Sequence, residues 1–318
     1  MSEPLGAYWD GSLESLFAVL DEVYRRGVMP GRPNMAPSGV RTPEGTVPPG
    51  GAVAAAADRT VQPELFADAD PRPARVSRGE EGRGGSPPEG RPFPPGEPFL
   101  RLFPNLRDSR SAALLLALSA DAFDAFVLAW MSELPIEGEI LRFGWKVLAA
   151  AGAAASPGDA ASRAARPGAR TEAERAASDR GDPDVRGVLG AAYKVNHEIE
   201  RIKGFLRFSP GRGGLYLARC SPDYYVLPAL VEHFTLRFGT QDWAVIDEKR
   251  GLALLRRSGG DARLVPAEPS GPREPAEDEW EELWRHYHKT INNEDRRNPA
   301  LQRQFMPKRY RNYLPELR

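Results

Sequence analysis

The residues of this chain best suited to chemistry on a polyanion lie in NPALQRQFMPKRYRNYLPEL. Between His286 and Arg318 there are eight Lys or Arg against three Asp or Glu, and Arg303, Lys308, Arg309 and Arg311 alternate with Phe305, Tyr310 and Tyr313. Cations meet phosphates, and flat rings or guanidinium planes meet unstacked bases, so both halves of a nucleic-acid contact occur in one run. The same residues also fit a structural tail whose rings are anchored in a core and whose charges are solvated. A second basic cluster occupies HEIERIKGFLRF, where Arg201, Lys203 and Arg207 surround the change from a helix to a hairpin. Folded onto the first cluster, it would line one groove with it. His197 and Glu198 beside it are the candidates for acid and base, the histidine because its pKa lies near neutrality. A surface helix with Glu–Arg and Glu–Lys pairs accounts for the same residues.

Other chemistries find less support. His286 and His288 are two apart on a predicted helix and point to different faces, and His197-Glu198 lacks a second histidine four residues on. No metal and no cofactor is therefore expected. SPGRGG is followed by neither Lys-Ser nor Lys-Thr and is flanked by strands, so it reads as a hairpin turn and not a phosphate loop. A single cysteine, Cys220, excludes a disulfide framework, a four-cysteine zinc site or an iron-sulfur cluster within this chain. It reads as a small buried side chain. Formal net charge is -1, so any binding of nucleic acid has to be local.

The elements that must position these residues are unevenly spread. Of 31 prolines and 31 glycines, 15 and 11 fall between Pro30 and Pro98, where no apolar run could be buried. That stretch, residues 30–97, is expected to be a disordered insertion. Residues 149–184 hold 14 alanines and no large apolar side chain, and read as a second disordered linker; residues 258–277 read as a Pro/Glu-rich loop. What remains, 1–29 and 98–318, is expected to form a single α+β domain. A strand over 5–9 precedes a helix with Leu13, Leu16, Phe17, Leu20, Val23 and Tyr24 on one face, ended by Gly27. Three helices are predicted from about Ser109 to Leu118, Ser119 to Ser132 and Glu137 to Leu148, and a fourth from Val188 to Lys203. Two hairpins follow, GFLRFSPGRGGLYLARC and WAVIDEKRGLALLRR, separated by a helix in DYYVLPALVEHFTLRFG, with a last strand from Ala262 to Val265. Trp280, Leu283, Trp284, Tyr287 and Ile291 follow helical spacing and are expected in the core. The sheet is predicted to be antiparallel, built from the two hairpins with the N-terminal strand and covered by helices. Residues 112–131 are mostly apolar, but Asp121 and Asp124 lie inside and Ser119 separates two helices, so no membrane span is expected. With no basic n-region and apolar core at the start, the expectation is a cytoplasmic protein.

Three stretches together, YWDGSLESLFAVLDEVY, HEIERIKGFLRF with the hairpins after it, and LWRHYHKTINNEDRRNPALQRQFMPKRYRNYLPE, resemble one family of DNA metabolism or DNA repair proteins with a conserved domain of unknown function. Members are encoded beside a radical S-adenosylmethionine protein or fused to an iron-sulfur uracil-DNA glycosylase. This chain lacks the cysteine motifs of either partner. The resemblance implies a DNA-binding accessory to such a partner enzyme, with damaged or single-stranded DNA among the candidate ligands. Two other readings of the residues stay open: a metal-independent enzyme acting on DNA, and a protein-docking subunit without nucleic-acid contact.

Overall fold

A computed structural model describes residues 10–27, 93–152, 171–211, 214–257 and 259–267, with 282, 286–287, 289–290, 298, 300–301 and 306–314 of the C-terminal stretch. The fold is α+β, as expected, and the described residues fall into two compact units, one of 10–27, 93–152, 171–199 and Tyr224–Ala229, the other of 200–211, 214–223 and the described residues from Leu230 on.

The first unit is helical. Helix α1, Leu13–Arg26, begins where the Ser12 hydroxyl accepts from the Ser15 N–H and ends at Gly27, whose φ of 66° is the left-handed conformation that glycine adopts without strain. Its apolar stripe, Leu13, Leu16, Phe17, Leu20 and Val23, is buried, and each such Leu or Phe contributes about 1.5–3 kcal/mol. Phe17 packs on Phe126 with ring centroids 4.5 Å apart. Asp21 accepts from the Ser109 hydroxyl at 2.8 Å and the Ser111 N–H at 2.6 Å, which fixes α1 to a segment almost ninety residues away. Helix α2, Glu97–Leu102, and a 3-10 turn, Pro104–Asp108, lead into α3, Arg110–Leu118, and α4, Ala120–Met131.

Ser119 sits between α3 and α4 in extended conformation and accepts from the Ala122 N–H. That cap breaks the apolar run into helices of 9 and 12 residues, short of the roughly 20 needed for a membrane span. Among the described residues no helix is long and apolar enough to cross a membrane.

Helix α5, Glu137–Ala150, crosses α1 and α4 through Gly144, where a Cβ would come within 2.8 Å of Leu20 Cδ2 and 2.9 Å of Phe126 Cε2. The alanine-rich stretch expected to be a linker instead contains α6, Glu172–Ser178, and the start of α7, Pro183–Phe205. Helix α6 forms because Thr171 and Glu174 make a reciprocal capping box. At the head of α7, Asp184 accepts from Arg142 at 2.8 Å and from Lys146 at 2.7 Å, while Lys146 also reaches Asp182. Burial pushes the Asp184 carboxyl up, but the hydrogen bonds from Arg142 and Lys146 outweigh it and hold the group below its ordinary value.

The second unit carries a five-stranded sheet in the order β1-β2-β3-β4-β5: Ser209–Pro210, Tyr216–Cys220, Trp243–Asp247, Leu252–Arg256 and Arg263–Pro266. Both predicted hairpins are present, β1 with β2 and β3 with β4. They do not join antiparallel, however: β2 and β3 run parallel, with Tyr216 opposite Trp243 and Cys220 opposite Asp247. Residues 221–242 include a 3-10 turn, Leu227–Leu230, and helix α8, Val231–Phe238, and a crossover of this length carries the chain from the end of β2 back to the opposite end of the sheet, where β2 began. Every residue of β3 and β4 is buried, so both faces are covered and the strands read as continuous apolar runs. Phe234 and Phe238 of α8 pack on Trp243, Phe208 inserts beside them, and Ala244, Ile246, Ala253, Leu255 and Val265 form a core on the opposite face.

The proposed N-terminal strand over 5–9 lies outside the described residues, as do 30–92, 153–170, and Trp280, Leu283, Trp284 and Ile291 of the C-terminal stripe. Tyr287 of that stripe is 50% exposed and not in the core. Asn298 accepts from the Leu301 N–H at 3.0 Å, a helix-cap hydrogen bond.

Two consequences are measurable by urea unfolding. Gly144→Ala forces a methyl group into the Leu20–Phe126 contact and lowers stability by roughly 1–3 kcal/mol, whereas Gly190→Ala on α7, where a Cβ meets nothing within 4 Å, raises it by about 0.5–1 kcal/mol. Asp184→Ala leaves Arg142 buried without its carboxylate and costs about 3–5 kcal/mol at neutral pH. Because the folded carboxyl is held below its unfolded value, that contribution is complete well above pH ~4 and is lost as the pH falls through the folded value. The stability gap between the two proteins therefore narrows in acid.

Candidate functional site

The last turn of α7 and the strand after it belong to the second unit, as does the short helical turn Lys308–Arg311 that follows Pro307. Phe205 from the first segment and Tyr310 from the second meet with ring centroids 5.4 Å apart and planes tilted by 35°. Tyr310 is 2% exposed and Leu314 is fully buried. This contact places the last turn of α7 beside the turn Lys308–Arg311. It also gives Tyr310 an anchoring role: with its ring interred, it has no free face for a base.

The cations around this contact differ in how far they are neutralised. Lys203 donates to Glu200 at 2.8 Å. Arg309 pairs with Asp223 at 2.8 Å, and its guanidinium lies 4.8 Å from the centre of the Tyr310 ring. Arg207 donates to the Gly204 carbonyl at 3.0 Å, closing the C-terminal end of α7 where carbonyls and the helix dipole favour a positive charge. Lys308 is exposed, Arg201 and Arg311 are half-buried, and none of the three has an ion pair among the described residues. Arg303 and Phe305 lie outside the described residues.

Next to Arg309, the carboxyl ends of the parallel strands β2 and β3 supply a second layer. Asp247 is fully buried and accepts from Arg250 at 2.8 Å and from the N–H groups of Lys249 and Arg250. Burial raises its carboxyl above the ordinary range in spite of Arg250. Lys249 and Arg250 also donate to the Asp223 carbonyl, so they hold the loop that presents Asp223 to Arg309. The Tyr313 hydroxyl donates to Glu248 at 2.7 Å. Burial, followed by Glu248, raises that phenol's pKa and keeps it a donor. On α8, burial and then Lys203 and Arg237 depress the pKa of His233, which favours its neutral form.

The acid–base candidates are separated. His197 is exposed, with its ring stacked on Tyr193 at 5.6 Å and 18°. Glu198 is 2% exposed and accepts from the Tyr224 N–H at 2.9 Å. Adjacent positions on a helix are about 100° apart, and here one faces solvent while the other holds backbone in place. The two do not form a proton-transfer pair. The first unit also has a cleft of about 600 Å³ lined by Asp10, Glu14, Asp21, Asp108 and Ser109. Its acidic lining disfavours a polyanion.

Sequence reasoning missed Phe205, Asp223, Glu248 and Arg250. Phe205 carried a signal, as the one ring placed between Lys203 and Arg207. The others depend on strand pairing that spacing does not reveal.

Residues 163–316 match the model of a family described as a domain of unknown function (DUF4130). The match spans both basic segments and all five strands. None of the curated proteins compared, and none of the solved structures, matches the chain.

Tyr310→Ala removes the buried ring and lowers stability by about 3–5 kcal/mol, whereas Tyr310→Phe keeps the ring, loses the hydroxyl that accepts from Arg309 at 3.3 Å, and costs about 1 kcal/mol. Urea unfolding of the two variants distinguishes an anchor from an exposed stacking ring, for which both losses would stay within about 0.5 kcal/mol.

Proposed function

We propose that the chain binds nucleic acid through the cationic surface assembled around the Phe205–Tyr310 contact. The observation that carries this reading is the meeting, at one aromatic contact, of two basic segments about a hundred residues apart in sequence. Among the described residues Lys308, Arg201 and Arg311 have no ion pair that a phosphate would have to break. The Arg309–Asp223 pair, with side chains 30% and 57% exposed, is of the surface kind that contributes about 0–1 kcal/mol, so a phosphate can replace Asp223 cheaply. Rings in this surface anchor the fold, and binding through it is predominantly electrostatic.

The resemblance to DNA metabolism and repair proteins supports DNA as the polyanion, and it supports an accessory role beside a partner enzyme such as a radical S-adenosylmethionine protein or a glycosylase. The placement of His197 and Glu198, one exposed and one buried on the Tyr224 N–H, does not favour these two residues as the acid–base pair of the catalytic alternative.

A salt titration of binding to a labelled DNA oligonucleotide tests the proposal. The expected plot of log affinity against log salt falls linearly, and Lys308→Ala and Arg311→Ala each make the slope shallower by about one. Absence of binding at low salt, or slopes unchanged in both variants, contradicts it.

A further inference from the structure

Before its last turn, α7 presents a different surface, within the first unit. Between Asp184 and Glu198 the helix contains no acidic residue. Arg186, Gly190, Tyr193, Lys194 and His197 are all exposed, and at 100° per residue they occupy a stripe about 100° wide. Tyr193 is 69% exposed, more than any other large apolar side chain among the described residues. Its ring and that of His197, one turn on, lie nearly parallel at 18° with centroids 5.6 Å apart.

Gly190, in the same stripe, has no packing reason to be glycine, since a Cβ there would meet nothing within 4 Å. It leaves bare helix backbone beside the rings, which lets a flat ligand lie close. The carboxylate of Glu139 stands over Gly187, at the edge of the stripe, and bounds the surface on that side. A protein partner would need a larger contiguous apolar patch than one tyrosine offers. Exposed parallel rings flanked by Arg186 and Lys194, with the Glu139 carboxylate at one edge, fit a nucleobase and its neighbouring phosphates.

We propose that Tyr193 and His197 form a stacking platform for an unpaired base, with Arg186 and Lys194 meeting the adjoining phosphates, so that the chain prefers single-stranded nucleic acid to duplex. The inference rests on the nucleic-acid reading above and names the form of the ligand.

The test is fluorescence anisotropy of the full chain with a labelled oligothymidylate and with a duplex of equal length at one salt concentration. Tyr193→Ala is expected to weaken binding to the single strand about tenfold and to the duplex less than twofold, Tyr193→Phe to retain both, and the thermal melt to be unchanged because the ring is exposed. Photocrosslinking to a strand carrying 5-iododeoxyuridine is expected to label Tyr193 or His197. If Tyr193→Ala leaves the single-strand affinity intact, or lowers both affinities equally, while Lys308→Ala still weakens binding, the platform is wrong and the surface at Tyr310 stands. If the wild-type chain binds neither ligand, both proposals fail.

Discussion

The rings of Phe205 and Tyr310, far apart in the chain, meet at 5.4 Å, and this contact determines which charges become neighbours. Bringing cations together is unfavourable by itself: unit charges about 8 Å apart repel by about 2 kcal/mol at an effective dielectric constant near 20. Burying one large aromatic side chain offsets about that much. The remainder is balanced by carboxylates placed beside the cations, Glu200 on Lys203, Asp223 on Arg309 and Glu248 on Arg219. The result is a surface that is stable without a ligand and still under-neutralised at Lys308, Arg201 and Arg311. Such a surface gains most from a polyanion, whose phosphates replace the repulsion with attraction.

Helix α7 serves both proposed contacts because it is fixed at its start. Asp184 is held by Arg142 and Lys146, and the apolar side of the helix, Val185, Val188, Ala192, Val195 and Ile199, is buried. The opposite side is therefore free to carry Arg186, Tyr193, Lys194 and His197 without a structural task. Glu198 marks the division between the two sides. As a buried carboxylate it would be costly unless hydrogen-bonded, and the Tyr224 N–H supplies a bond, so its role is architectural while its neighbour His197 is left to solvent.

Much of the fold was legible wherever one local signal decided it. Ser109 and Ser119 located two helix starts and Gly27 a helix end, each because one side chain or one φ value settles the backbone there. What escaped depended on distant partners. The parallel pairing of β2 with β3 follows from the path of residues 221–242, and a local pattern of apolar residues is the same for either direction. Helix Glu172–Ser178 was hidden by its alanine-rich surroundings, although Thr171 and Glu174 already had the spacing of a capping box. For the site, the shared position of the two basic segments was readable as a hypothesis from composition, whereas the burial of Tyr310 was not. A tyrosine between arginines looks the same in sequence whether its ring faces water or Phe205.

The central claim is that residues 201–207 and 306–314 act as one binding surface. Amide hydrogen exchange followed by mass spectrometry, on the full chain with and without a saturating DNA oligonucleotide, tests it most directly. The account predicts slower exchange in both segments together on adding DNA, with strands β3 and β4 unchanged. Slowing in only one of the two segments, or in neither while the DNA is bound, contradicts it.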